Sequence, residues 1–193
     1  MLFLAIAILV MAAAIVLLFA MMGELTARLP RLGVGYRDPT VRALSEVRIG
    51  ARATHWPSEL LHLANQDDAT CLVVLSTACA TCEDVAQQMT EHLSRGIQVP
   101  TGIVISCADR RAGEEFVQRH DLAGFPVYVD EDGDWVSREF GARTSPSGLV
   151  FRQGVVDAAY VFGDVVALES AIISSNNGNG NNRQQNNESE VIA

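Results

Sequence analysis

The chain has 193 residues, which is enough for one domain of ordinary size together with additional segments. Its formal net charge of -9 argues against a general role in nucleic-acid binding. Four cysteines are too few and too unevenly spaced for a disulfide-rich scaffold. These cysteines are Cys71, Cys79, Cys82 and Cys107.

The N-terminus carries a long apolar segment. Residues 2–22, LFLAIAILVMAAAIVLLFAMM, contain no charged side chain. As a helix this segment is about 31 Å long, which is enough to cross a bilayer. The alternative is a cleaved signal peptide, which has a basic start and an apolar core of roughly 7–15 residues. Because this core is longer and follows no basic side chain, the sequence predicts a transmembrane anchor over residues 1–23.

Basic residues follow this span closely, and none precedes it. They are Arg28, Arg31, Arg37 and Arg42. By the positive-inside rule, this distribution places the C-terminal domain in the cytoplasm.

Three further regions follow the anchor. Residues 24–58 show little periodicity and are interpreted as a juxtamembrane linker with one short helix near 39–47. Residues 59–175 have the regular pattern of a folded domain. Residues 176–193 are rich in Asn and Gln and lack an apolar face, which is typical of a disordered tail.

The domain alternates between buried strands and amphipathic helices. Its predicted elements are a strand at 71–76, a helix at 82–96, a strand at 101–107, a helix at 110–122, a strand at 125–130, a short helix or turn at 135–141, two strands within 147–162 around the turn Arg152-Gln153-Gly154, and a helix at 163–175 capped by Asp164. This order predicts an α/β fold with a mixed central sheet flanked by helices.

The stretch STACATC lies where the first of these strands gives way to a helix. If the helix begins near Cys79, free backbone N–H groups and the helix dipole favour a thiolate there. Cys82 lies one helical turn further on, beneath the first thiol. Cys79 can then attack a disulfide and Cys82 can resolve the mixed disulfide. The spacing therefore indicates a redox pair.

Two other interpretations of this pair are open. One is half of a metal site, which needs two further ligands at a suitable spacing. The chain has no second Cys-x-x-Cys and its histidines are scattered, so no metal site is predicted. The histidines are His55, His62, His92 and His120. The other interpretation is a pair of structural thiols.

At these residues the chain resembles the thioredoxin superfamily, and within it the membrane-anchored proteins of the TlpA disulfide-reductase and MauD (methylamine-utilisation) groups. The likeness covers roughly residues 47–173. It is carried by the N-terminal span, by VVLSTACATC, by the stretch from SCADRRAGEEF to SGLVFRQG, and by the closing helix.

The resemblance implies a thioredoxin-like fold and assigns roles to four residues. Pro146, preceded by Thr144 and Ser145, matches the family's cis-proline position. Cys79 is then the attacking thiol and Cys82 the resolving thiol, while Ser145 and Pro146 form the platform for substrate. No cofactor is implied.

Three departures from the family pattern set this chain apart. Ala78 stands where the family usually has Trp, and Val73 stands where thioredoxins have a buried Asp that accepts a proton. Glu83 and Asp84 follow the second cysteine in place of a basic residue. Their negative charge disfavours the thiolate, which favours a reductant-type couple. The three departures together predict a narrower, partner-specific enzyme. The proton acceptor for Cys82 is unassigned.

The other two cysteines have separate interpretations. Cys107 ends a strand next to the active-site edge and is either a third redox thiol or a buried structural cysteine. Cys71 begins the strand that leads to the pair and lies too far from Cys79 to be bridged to it.

Together these observations predict a membrane-tethered thiol-disulfide oxidoreductase with a cysteine-containing protein as substrate or redox partner. The alternatives are a non-catalytic interaction or maturation module and a thioredoxin-like peroxidase. Ser76 fits the peroxidase motif, but Leu72 stands at its proline position. The resemblance also implies a single-pass membrane protein with its domain outside the cytoplasm, whereas the arginines favour the inside.

Overall fold

The computed structural model describes Met11 and residues 40–94, 96 and 98–175. The predicted anchor apart from Met11, most of the predicted linker and the tail at 176–193 lie outside these residues. Within the described ranges, no helix has both the length and the apolar character needed to cross a bilayer.

Six strands and five helices are described in chain order. They are β1 (Arg42–Ala43), α1 (Leu61–Ala64), β2 (Thr70–Ser76), α2 (Ala80–Leu93), β3 (Thr101–Cys107), α3 (Arg110–Arg119), β4 (Val127–Glu131), α4 (Asp134–Phe140), β5 (Ser147–Arg152), β6 (Val155–Val161) and α5 (165–175). Short 3-10 turns at Ser58–Leu60 and Leu122–Gly124 precede α1 and β4.

The strands form one mixed sheet in the order β1-β6-β5-β2-β3-β4. β2, β3 and β4 run parallel to one another, because α2 and α3 return the chain between them. β5 pairs antiparallel with β2, and β6 pairs antiparallel with β5. The predicted fold of parallel strands followed by a hairpin is therefore confirmed.

Alternate residues of the central strands pack on opposite faces of the sheet. Val73 and Leu75 of β2 face a cluster that contains Phe116 of α3 and inward residues of α2 and α5. Leu72 and Val74 face a second cluster, built around α4. The sheet is therefore covered on both faces, which explains the continuous apolar run at 71–75.

Two local predictions from the sequence are confirmed. Asp164 caps α5, since its Oδ1 accepts a hydrogen bond from Ala167 N at 2.9 Å. Gln153 and Gly154 have positive φ values of 50° and 72°, as a two-residue turn between antiparallel strands requires.

The N-terminal boundary differs from the prediction. Residues 40–56 were expected to be linker with a short helix, yet Arg42–Ala43 is a strand on the edge of the sheet. Val47 is buried in the α4 cluster. The ring centroid of Trp56 lies 5.2 Å from that of Phe151. The segment has no helical periodicity in its sequence. Its structure is set instead by contacts with residues that lie far along the chain, so local patterns do not predict it.

Replacing Trp56 with Ala should lower the free energy of unfolding by about 3 kcal/mol, because the indole packs against Trp135, Phe140 and Phe151. Chemical denaturation followed by circular dichroism measures this change. His55→Ala is the matched control, because the exposed His55 uses only its backbone carbonyl to accept from Trp135 Nε1. An unchanged stability for Trp56→Ala would exclude the segment from the core.

Candidate active site at the end of β2

Cys79 occupies the turn between β2 and α2. Its backbone N–H donates to Ser76 O at 3.2 Å, and its extended backbone makes it the N-cap of α2. The cysteine side chain does not cap the helix; its Sγ instead lies 3.6 Å from Ser145 O. The helix therefore begins beside Cys79, as the redox interpretation requires, two residues before the predicted element at 82–96. Cys79 is partly exposed at the free N–H end of α2.

Cys82 lies one turn into α2 and is fully buried, with 0% of its surface exposed. Burial, and then a hydrogen bond with the Cys79 thiol, raise the pKa of Cys82 to about 12, against weaker opposing hydrogen bonds from Ser76 and Ser145. Cys82 is therefore a protonated thiol at neutral pH. The two cysteines differ as an attacking and a resolving thiol would, one reachable and one enclosed.

The loop before β5 lies directly against this pair. The peptide bond between Ser145 and Pro146 is cis, as predicted. Ser145 contacts Cys79, since its carbonyl oxygen lies 3.6 Å from Cys79 Sγ. The structure thus brings Cys79, Cys82, Ser145 and Pro146 together, while their catalytic and substrate-binding roles stay predictions.

A residue that the sequence did not indicate also contacts this loop. Glu46 Oε1 accepts hydrogen bonds from the backbone N–H groups of Arg143 and Thr144, both at 2.8 Å. Glu46 and Arg143 are 97 positions apart, and no motif or periodicity in the sequence links them.

A polar cleft of about 270 Å³ adjoins the loop on the α4 face of the sheet. Its lining includes five residues that carry hydroxyl groups: Ser76, Ser106, Ser137, Thr144 and Ser145. Because the Ser145 carbonyl oxygen also lies beside Cys79 Sγ, the cleft opens beside the cysteine pair. The sequence did not indicate this cleft, because its walls come from separate strand ends, from α4 and from the loop at 142–145.

The acidic residues after the pair lie in solvent. Glu83 and Asp84 are exposed on the first turns of α2. Glu83 Oε1 lies 3.6 Å from Arg119 Nη1, with both side chains more than half exposed. Solvent screening therefore weakens the effect that these carboxylates have on the cysteine pair.

The remaining cysteines are buried at other places. Cys107 lies beneath α3, where a Cβ added to Gly113 would meet its Sγ at 2.9 Å. Its Sγ is 3.9 Å from Asp130 O, and burial raises its pKa. These contacts favour the structural alternative for Cys107. Cys71 is at the opposite end of β2 from Cys79, and burial raises its pKa to about 12.

Buried Asp130 is the one carboxylate enclosed in the described core, and it has a structural role. Its two oxygens accept from Trp135 N and Val136 N at 3.0 Å each, which satisfies the first turn of α4. Burial raises the pKa of Asp130 against these hydrogen bonds. No group of three potential metal ligands occurs among the residues described.

Comparison with known proteins supports the fold. No protein-family model matches the chain, and no curated protein matches it. A structure described as thiol:disulfide interchange protein DsbE from Chlorobium tepidum does match, with a TM-score of 0.50 and 19% identity over 66% of this chain and 97% of that chain. The domain therefore has a thioredoxin-like α/β fold with a mixed sheet, as predicted.

Two further solved structures are similar. A secreted disulfide oxidoreductase of Mycobacterium tuberculosis, homologous to E. coli DsbE, has a TM-score of 0.46 and 18% identity over 56% of this chain and 83% of its own. StoA from Bacillus subtilis has a TM-score of 0.44 and 13% identity over 68% of this chain and 97% of its own. At these identities the likeness concerns the fold, and the function must be argued from the site.

The difference between the two thiols predicts selective alkylation. Limiting iodoacetamide at neutral pH should modify Cys79 first, while Cys82 stays unmodified until denaturant is added or the pH approaches its raised pKa of about 12. Mass spectrometry of the digested protein identifies the modified residue. Cys71 is the internal control, because it is buried and its pKa is raised to a similar value. Equal rates at Cys79 and Cys82 would contradict the described geometry.

Proposed function

We propose that this protein is a membrane-tethered thiol-disulfide oxidoreductase that uses Cys79 and Cys82 to reduce or exchange disulfides in a partner protein. The observation that carries the proposal is a partly exposed Cys79, whose Sγ lies 3.6 Å from the Ser145 carbonyl oxygen, with a buried Cys82 one helical turn away. Substrate disulfide can reach Cys79 across the Ser145-Pro146 platform. Neither a cofactor nor a metal takes part in the proposed reaction.

The reaction proceeds by two exchanges between sulfur atoms. The Cys79 thiolate attacks one sulfur of the substrate disulfide, so that a Cys79–substrate bond forms, the substrate S–S bond breaks and one substrate thiolate leaves. Cys82 then loses its proton and attacks Cys79 Sγ, which releases the second substrate thiolate. The pair ends as a disulfide, and the substrate gains two electrons and two protons.

The high pKa of Cys82 orders these steps. A protonated, enclosed thiol does not compete with Cys79 for the incoming disulfide. It becomes a nucleophile only once the mixed disulfide has formed and the leaving substrate thiolate can take up a proton.

Replacing Cys82 with Ser should trap a mixed disulfide between Cys79 and the partner, because the resolving thiol is absent. Non-reducing electrophoresis and peptide mapping detect the covalent complex, and insulin reduction should be lost. The matched controls are Cys79→Ser, which should form no complex, and Cys71→Ser, which should leave exchange unchanged. The absence of any complex through Cys79, together with no insulin reduction by the native chain, would refute the proposal.

Two further measurements, partner binding and peroxide consumption, separate the alternatives. A non-catalytic interaction or maturation module would bind its partner equally well after Cys79→Ala. A thioredoxin-like peroxidase would consume peroxide through Cys79 in the absence of any disulfide substrate.

Membrane tethering by residues 1–23 is the second part of the proposal. Its support is the uncharged length of residues 2–22. Deleting residues 1–23 should move the protein from the membrane fraction to the soluble fraction, as measured by immunoblotting after ultracentrifugation. Protease accessibility in intact cells would show on which side of the membrane the domain lies. A cytoplasmic domain would agree with the distribution of arginines and could be reduced by cytoplasmic thiols. A domain outside the cytoplasm would need an electron donor that acts across the membrane.

A further inference from the structure

The carboxylate of Glu46 is charged where it meets the active-site loop. Hydrogen bonds from the Arg143 backbone, which outweigh the opposing effect of burial, hold the pKa of Glu46 below its usual range. The two N–H···O bonds to Arg143 and Thr144 are therefore charge-assisted, and such bonds are shorter and stronger than neutral ones.

These bonds restrain a segment that lies outside any helix or strand. Residues 142–144 belong to neither α4 nor β5, so their backbone N–H groups depend on partners outside a helix or sheet ladder. Glu46 provides that partner for two consecutive residues. The next residue along the loop is Ser145, whose carbonyl lies 3.6 Å from Cys79 Sγ.

The backbone around Glu46 is also fixed against the end of α4. Arg48 N donates to Phe140 O at 2.9 Å, and the Arg48 guanidinium donates to Arg138 O. Gly141 has a φ of 81°, and a Cβ there would lie only 3.0 Å from Glu46 O. Two chain segments that are nearly a hundred positions apart therefore lie in close contact beside the redox pair.

We propose that Glu46 is a positioning residue that sets the distance between Ser145 and Cys79 and thereby holds the substrate platform in place. The inference rests on the proposed exchange function and deepens it. A partner polypeptide needs the platform, because it must lie along the loop while its disulfide meets Cys79. A small disulfide needs only access to the sulfur atom.

A second carboxylate gives a matched control. Glu139 of α4 accepts from Thr54 N at 2.7 Å and from Thr54 Oγ1 at 2.9 Å. It joins the same N-terminal segment to α4 by the same kind of bond, but its partner is Thr54 instead of the active-site loop. Glu139→Ala therefore tests the general effect of loosening this segment.

The kinetic test uses the full-length protein with two substrates, a peptide disulfide and oxidised glutathione. Glu46→Ala should lower kcat/KM for the peptide disulfide about tenfold, mainly through KM, because two charge-assisted bonds are lost. The rate with oxidised glutathione should change less than about twofold. Glu46→Gln keeps an oxygen acceptor and should restore most of the peptide activity. Glu139→Ala should leave the preference between the substrates unchanged.

A second measurement tests the hydrogen bonds of Glu46 to Arg143 and Thr144 independently of activity. In NMR spectra, the amide protons of Arg143 and Thr144 should shift as Glu46 titrates, with a midpoint below the usual glutamate pKa. In Glu46→Gln the same amides should show no such transition. Absence of this transition in the native chain would overturn the contact itself.

The outcomes separate the two proposals. Equal slowing of both substrates by Glu46→Ala, or a selective defect in Glu139→Ala, would overturn the positioning role and leave the exchange function intact. If the native chain reacted with neither disulfide, the exchange function would fail and the role of Glu46 in it would fail too. The NMR titration would then still decide whether Glu46 holds the loop.

Discussion

The antiparallel pairing of β2 with β5 is the constraint on which the site depends. Val74 lies opposite Ser147, so the end of β2 and the start of β5 meet at the same edge of the sheet. Cys79 follows β2 by three residues and Ser145 precedes β5 by two. Strand register therefore brings Cys79 and Ser145 to the same edge of the sheet, and a shift of the register by one residue would move every side chain of β5 to the other face.

The two faces of the sheet contribute different properties to this edge. On the α2 face, apolar packing encloses Cys82 and keeps its thiol protonated. On the α4 face, hydroxyl-bearing residues line an open cleft beside the same loop. The cysteine pair thus packs against apolar side chains on one side and lies beside an open polar cleft on the other. A single loop at residues 142–145 forms the boundary between these environments.

Local patterns were sufficient to predict most of the fold and the cysteine pair. The strand at 71–76 and the helix that follows it were predicted from short-range spacing, the helix start within two residues, and the cis Pro146 was predicted from the resemblance. The segment at 40–56 could not be predicted in this way. Its two-residue strand is too short to show an alternation of apolar and polar residues, and Trp56 packs against residues that are far along the chain.

The same limit applies to the candidate site. Cys79 and Cys82 are three positions apart, so a helix brings them together without help from the rest of the chain. Glu46 reaches its partners only through the complete fold, and the cleft takes its walls from separate elements. Position 46 has no distinguishing neighbourhood in the sequence, since an exposed glutamate is among the commonest surface residues.

The long separation between Glu46 and its loop also has a consequence for synthesis. Glu46 and both cysteines leave the ribosome well before Arg143, which follows Glu46 by 97 residues. Through that interval the chain lacks β5 and the Ser145 carbonyl, which lies beside Cys79 Sγ in the finished domain. A nascent chain therefore carries both thiols before the loop that contacts Cys79 has been made, so the complete site forms only after β5 has been synthesised.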